Sequence, residues 1–196
     1  SRTSARARRC STRSVTSSVA NVLTPLGMEN SSYLLSDLDP AQLAMPHLPA
    51  ENGNAKTIDF YPYTRAHAPS GAFYSSINDM ARFAIANMNQ GELDGMQVLP
   101  ASAYEEMWTP QAASPWAEMF GPVVSNYALG WWVGELDGHT VIGNYGADFG
   151  FSSHMGLFPD EGMAVIVFDN LFDPESSPLY AYDIGNGIAE LLLNTE

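Results

Sequence analysis

The chain is poor in lysine and cysteine. Lys56 is the only lysine in 196 residues, and no Gly-x-x-x-x-Gly-Lys surrounds it, which excludes a phosphate-binding P-loop. Cys10 is the only cysteine, so no internal disulfide forms and no thiolate zinc site can be assembled. Long apolar runs are missing as well. The longest, such as MAVIVF at 163–168, have strand length and cannot span a bilayer. There is no Gly-x-Gly-x-x-Gly, the Rossmann fingerprint, and no Gly-x-Ser-x-Gly, the nucleophile elbow. The four histidines, His47, His67, His139 and His154, lie far apart with no metal-ligand spacing. Ser153 and His154 are adjacent, and neighbours on a strand point to opposite faces, so they form no dyad.

What remains is a globular composition, 45% apolar and 15% charged, long enough for one domain with a core. The net charge is -14, unevenly spread. Five of the eight basic residues, Arg2, Arg6, Arg8, Arg9 and Arg13, fall in the first thirteen. Behind them Lys56, Arg65 and Arg82 stand against all 22 acids. Such a body repels nucleic acid and anionic membranes, so neither is an expected partner. Residues 1–20 read as an irregular Arg/Ser-rich arm without the apolar core of a signal peptide. The arm is a disordered basic segment, or a cloning or wrong-frame remnant. An RNA-binding arm fits least well with the acidic body.

Elements follow from periodicity and punctuation. SVTSSVANVLTPLGM (14–28) reads as a weak helix ending near Pro25 and Gly27. Residues 29–70 are mostly irregular with short elements. Over 77–88, Ile77, Met80, Ala81, Ala84, Ile85 and Met88 recur at helical spacing. Ser76 caps that helix, with Asp79 three residues on, and Gly91 stops it. Pro100 opens a second short helix over 100–108. The period then changes. YALGWWVG, Asp137-Gly138 and HTVIG form a hairpin; SHMGLF, PDEG and MAVIVF form another. Residues 178–194 form a last helix, weakened by Gly185 and Gly187. Helices, then an antiparallel sheet, then a helix make an α+β fold.

Four segments, in order, resemble the C-terminal half of the serine β-lactamase-like hydrolases, the class C β-lactamase group with its esterase and D-alanyl peptidase relatives. NVLTPLGMENSSY (21–33) is similar to the family's Pro-Leu-Gly-Met-x-x-Thr segment. Residues 67–111 resemble its Ala-Gly-Gly-Leu-x-Ser-Thr-x-x-Asp-Met-x-x-Phe helix and the helix after it. YALGWWVG (127–134) resembles its Tyr-Gly-Leu-Gly-Trp strand. GNYGADFGFSSHMGLFPDEGMAVIVFDN (143–170) resembles its third active-site motif and the strand pair that follows.

The resemblance implies a division into the arm at 1–20 and a partial β-lactamase-like domain over 21–196. It implies acyl-enzyme hydrolysis of an ester, amide or β-lactam, with no cofactor and no metal. The family often works in the periplasm or outside the cell. Asn144-Tyr145-Gly146 holds the third-motif position. The backbone N–H of Ala147 is then expected to serve the oxyanion hole, and Asn144, Tyr145, Gly146 and Asn170 to contact substrate. Asn144 stands where the family has Lys or His and carries no charge.

The nucleophile motif Ser-x-x-Lys is missing, because Gly53 precedes Lys56 by three. Tyr74-Ser75-Ser76 fits the second motif by letters, but it falls at a helix start. The resemblance therefore implies a chain inactive by itself, waiting on a complementing N-terminal half. The fold's sheet also takes strands from that half, so an exposed edge and self-association are expected. The rival reading is a non-catalytic ligand- or peptide-binding module on the same fold.

Plainer readings stand beside these. Gly143, Gly146 and Gly150 on spacing alone suit a bulged connection. Tyr145 suits a half-buried sheet aromatic, and His154 suits sheet packing. His67 reads as a loop residue and Asp148 as a solvated acid. Trp131 and Trp132 alternate faces, one toward the core and one toward a cleft.

Overall fold

The computed structural model describes residues 15–50, 53–62, 71, 73–175 and 179–195. The arm up to residue 14, Arg65 and His67 lie outside these. Residues 15–23 are helical and turn over at Thr24–Gly27, as the pattern predicts. Two short strands, β1 (His47–Pro49) and β2 (Ala55–Thr57), follow as a hairpin. Helix α1 (Ile77–Met88) comes next. A minimal hairpin, β3 (Glu92–Leu93) and β4 (Met96–Gln97), leads to α2 (Ala101–Trp108). β5 (Ala112–Ala113), the single turn α3 (Ala117–Phe120) and β6 (Asn126–Tyr127) precede β7 (Trp132–Leu136), β8 (His139–Asp148), β9 (Phe151–Phe158) and β10 (Met163–Asp169). Helix α4 (Tyr180–Leu193) closes the chain. Strands β5 to β10 form one antiparallel sheet in the spatial order β10-β9-β8-β7-β6-β5. The architecture is α+β.

The local chemistry explains most of these boundaries. Ser76 Oγ accepts the Asp79 amide at 3.1 Å and starts α1. Asp79 itself turns inward. It is buried, and its Oδ2 accepts the Asn30 amide at 2.8 Å and the Ser31 hydroxyl at 2.7 Å. That carboxylate ties the 21–33 segment to α1 without leaving an unpaired charge. α1 ends in a Schellman motif. Gln90, not glycine, takes the left-handed residue (φ 53°), its amide bonds Asn87 O, and the Gly91 amide bonds Ala86 O. The turn joining β7 and β8 has Asp137 at φ 51° and Gly138 at φ 86°. Both values match a primed turn, whose twist suits a hairpin.

The sheet is packed on both faces. Period-two alternation sends Val141, Phe158 and Val165 against α4, with Tyr182 and Ala189. It sends Ile142, Met155 and Leu157 the other way, against Ala84 of α1 and Trp131. Leu157 and Phe158 are adjacent, face opposite layers, and are both fully buried. Trp131 belongs to the α1 layer and Trp132 packs in the α4 layer, so both indoles serve cores. Not every periodic apolar residue is covered. Ile77 and Ile85 of α1 are exposed, although they keep the helical spacing.

Candidate functional site

The ten residues of β8 divide in two. His139 to Gly143 pair with β7 on one side. Among the described residues, Asn144 to Asp148 pair only with β9, so half of β8 has no strand along its other side there. This free half carries the third-motif residues.

The glycines flanking this stretch have structural reasons. A Cβ on Gly143 would lie 2.4 Å from the Met155 carbonyl oxygen, and one on Gly150 would lie 2.3 Å from Pro46 Cβ, at a φ of 80°. Gly146 is different. A Cβ there would meet only the Ser153 hydroxyl, at 3.1 Å. Its smallness serves open space along the strand more than packing.

Asn144 and Gly146 share the α1 face of the sheet with Met155 and Ser153 opposite them. Asn144 is exposed, and its Nδ2 donates to the Gly130 carbonyl at 2.8 Å. With the amide nitrogen committed, Oδ1 is the group left to face outward, an acceptor. Tyr145 lies on the other face. Its ring packs 4.9 Å from Phe120, 5.6 Å from Tyr182 and, stacked, 5.8 Å from Trp132. Burial, and then the nearby Tyr182, push its phenol up to about 12. Its side chain belongs to the α4 layer and does not share the face of Asn144. Ala147 is exposed in the free half of β8.

Asn170 is not brought to this group. Asp169 pairs with Ser152, which pairs with Ala147, so β9 stands between. Two strand spacings put Asn170 roughly 10 Å from the Ala147 backbone. Its Nδ2 donates to Met45 O at 2.9 Å, and its carbonyl accepts the His47 amide at 3.0 Å. It fastens the β1 segment to the end of β10.

Sequence reasoning passed over Ser153. Pairing places it directly opposite Gly146, with its hydroxyl 3.5 Å from that residue's carbonyl. The signal was the register across the tight connection between β8 and β9, which closes at Asp148 and Phe151 and is countable from Phe149-Gly150. No His, Lys or carboxylate hydrogen-bonds Ser153 among the described residues, so nothing activates it as a nucleophile. An open groove of about 650 Å³ lies along α2, lined by Gln90, Tyr104, Glu105, Trp108 and Pro110. It contains none of the third-motif residues. Among the described residues no cluster of three His, Cys, Asp or Glu side chains could hold a metal, and no helix is long and apolar enough to cross a membrane.

An antiparallel sheet layered between helices, with one strand half free beside a Gly-bearing motif, defines the class of β-lactamase and penicillin-binding folds. The β-lactamase family model matches residues 6–186, and the chain belongs to the β-lactamase family of serine hydrolases. Among curated relatives, an unguisins hydrolase of Aspergillus campestris is 27% identical over 74% of this chain and 27% of that protein. Penicillin-binding protein 4 of Amycolatopsis lactamdurans is 27% identical over 76% of this chain and 39% of that protein. The chain thus spans less than half the length of either. The fold matches the octameric penicillin-binding protein homologue of Pyrococcus abyssi with a TM-score of 0.74 at 23% identity, over 93% of this chain and 38% of that one. It also matches the D-amino acid amidase of Ochrobactrum anthropi with a TM-score of 0.69 at 20% identity, over 90% of this chain and 50% of that one.

Proposed function

We propose that this chain forms one wall of an acyl-transfer site, along the free half of β8, in a serine hydrolase whose nucleophile lies outside these 196 residues. The observation that carries the reading is the stretch Asn144–Asp148, which pairs with β9 on one side and with no strand on the other among the described residues, with Asn144, Gly146 and Ala147 exposed. An acyl group laid along that edge would have its carbonyl oxygen beside the Ala147 amide, the donor that oxyanion stabilisation needs. Gly146 leaves room for it. The parent reaction would transfer the acyl group of an ester, amide or β-lactam to a serine and release it to water. The serine and its activating lysine would come from a complementing segment.

Asn144 narrows the substrate. The family's Lys or His suits a carboxylate. Here the outward atom is an amide oxygen, which accepts a hydrogen bond and repels a carboxylate. The group recognised at this point is therefore a donor, such as an amide N–H, an amine or a hydroxyl. Asn170, held by Met45 and His47 on the far side of β9, would touch only the distal part of a long substrate.

An NMR titration of the chain with phenylalanine amide tests the wall. The Gly146 and Ala147 amide resonances should move, and Asn144→Ala should weaken binding roughly fivefold, the value of one neutral hydrogen bond. Shifts confined to the α2 groove, or none at all, would reject this site. Tighter binding of N-acetylphenylalanine than of the amide would reject the acceptor role of Asn144.

A further inference from the structure

His154 is a titratable ring sealed between the sheet and α4. It is 5% exposed, and two missing side chains make its seat. A Cβ on Gly185 would lie 2.8 Å from the ring's Cγ and Nε2, and one on Gly156 would lie 3.1 Å from Nε2. The Tyr182 ring stands edge-on at 5.7 Å. Neither ring nitrogen has a hydrogen-bond partner among the described residues, and neither has Asn186 Oδ1, buried one residue beyond Gly185. Helix propensity favours alanine over glycine at an interior position such as 185, so the glycine there serves the imidazole.

Among the described residues, the groups around the ring give a proton on it no free counter-charge. Tyr145 of β8 and Val167 of β10 are its cross-strand neighbours. The Tyr145 and Tyr182 phenols are both held above their usual range, by burial first, so neither supplies a phenolate. Asp169 shares this face of the sheet, two positions beyond Val167, but its carboxylate is engaged elsewhere. Its Oδ2 accepts the Ser152 hydroxyl at 3.3 Å and its Oδ1 the Leu171 amide at 3.0 Å. Glu118 of α3, and Asp183 and Glu190 of α4, are exposed.

We infer that taking up a proton at His154 releases α4 from the sheet, so that this seam is an acid-sensitive latch. The inference does not rest on the reaction proposed above. The sheet opens no path to water for the ring, because β9 is paired on both sides, with β8 and β10. Helix α4 is held to the sheet by side-chain packing. Lifting it hydrates both ring nitrogens and Asn186 Oδ1 together. The lifted helix does not persist. Fourteen residues with Gly185 and Gly187 in the interior are marginal without packing, so release unwinds α4 and exposes its amides.

Native-state hydrogen exchange of the full chain in low urea tests this, at about pH 7 and about pH 5.5. Both values lie above the chain's pI of about 4.4. Amides of 183–193 should exchange through an opening with a small urea slope, and those of β9 through one with the full slope of global unfolding. Between the two pH values α4 protection should fall roughly eightfold, the ratio for a ring that titrates near 6.5 when exposed and about 4 when sealed. His154→Leu and His154→Phe, which keep an apolar filler against Gly185, should each abolish that fall. A common urea slope for α4 and β9 amides would overturn the inference, because α4 would then open only with the whole fold. So would wild-type α4 protection that ignores pH, which would leave the ring hydrated or paired with Asn186 while the helix stays docked. A fall that persists in both variants would assign the acid response to other groups and reject the latch.

Discussion

Gly185→Ala is expected to destabilise the chain by about 2 kcal/mol, although the same change in an exposed helix stabilises by about 1. Gly185 sits in the buried face of α4. A Cβ there would lie 2.1 Å from His154 Cδ2 and 2.8 Å from Cγ and Nε2. The ring has no easy retreat. It packs edge-on against Tyr182 at 5.7 Å, and its Nε2 lies over Gly156, where a Cβ would come to 3.1 Å. Overpacking of this kind costs about 1–3 kcal/mol, which outweighs the gain in helix propensity. Urea denaturation should show a lower midpoint with an unchanged slope. The cause is checked by a double-mutant cycle. In a His154→Ala background the clash is gone, so Gly185→Ala should become neutral or stabilising. Equal losses in both backgrounds would refute the steric account.

Stability should also fall by about 3 kcal/mol between pH 6.5 and pH 4 on account of His154 alone. Burial lowers this imidazole to about 4, from a usual 6.5. Neither ring nitrogen has a hydrogen-bond partner among the described residues, so nothing there offsets the cost of charging it. In this window the unfolded chain binds a proton that the folded chain refuses. Stability is therefore complete above about pH 6.5, declines as pH falls, and levels off below about 4. The acidic surface acts in the opposite direction, since protonating carboxylates relieves self-repulsion in a chain of charge -14. Comparison with His154→Leu isolates the imidazole. Denaturation midpoints at pH 7 and pH 4.5 should differ much less in that variant than in the wild type. Parallel pH profiles would mean that His154 is hydrated or paired in solution.

Much of the sheet was legible because its signals are local. Asp137-Gly138 sets the β7–β8 hairpin, and the PDEG turn sets β9 against β10. Alternation then assigns faces by counting. It separates Tyr145 from Asn144, although the motif groups them as neighbours. The capped α1 was legible for the same reason. What escaped is non-local. Nothing near Gly185 announces that His154, 31 positions earlier, needs its missing side chain. Nothing near Asn170 announces Met45. Helical spacing marks Ile77 and Ile85 as apolar-face residues, but spacing cannot say whether anything covers that face. Residues 29–62 carry little periodicity because tertiary ties hold them: Asp79 to Asn30 and Ser31, and Asn170 to Met45.

Hydrolysis assays on the purified chain, with a chromogenic short-chain ester and a chromogenic β-lactam, test the central claim most directly. A wall without its Ser-x-x-Lys helix should turn over neither substrate above the buffer rate, with or without Asn144→Ala. Turnover by the wild-type chain that is lost in Asn144→Ala would contradict the account, because it would place an active nucleophile beside β8 within these 196 residues.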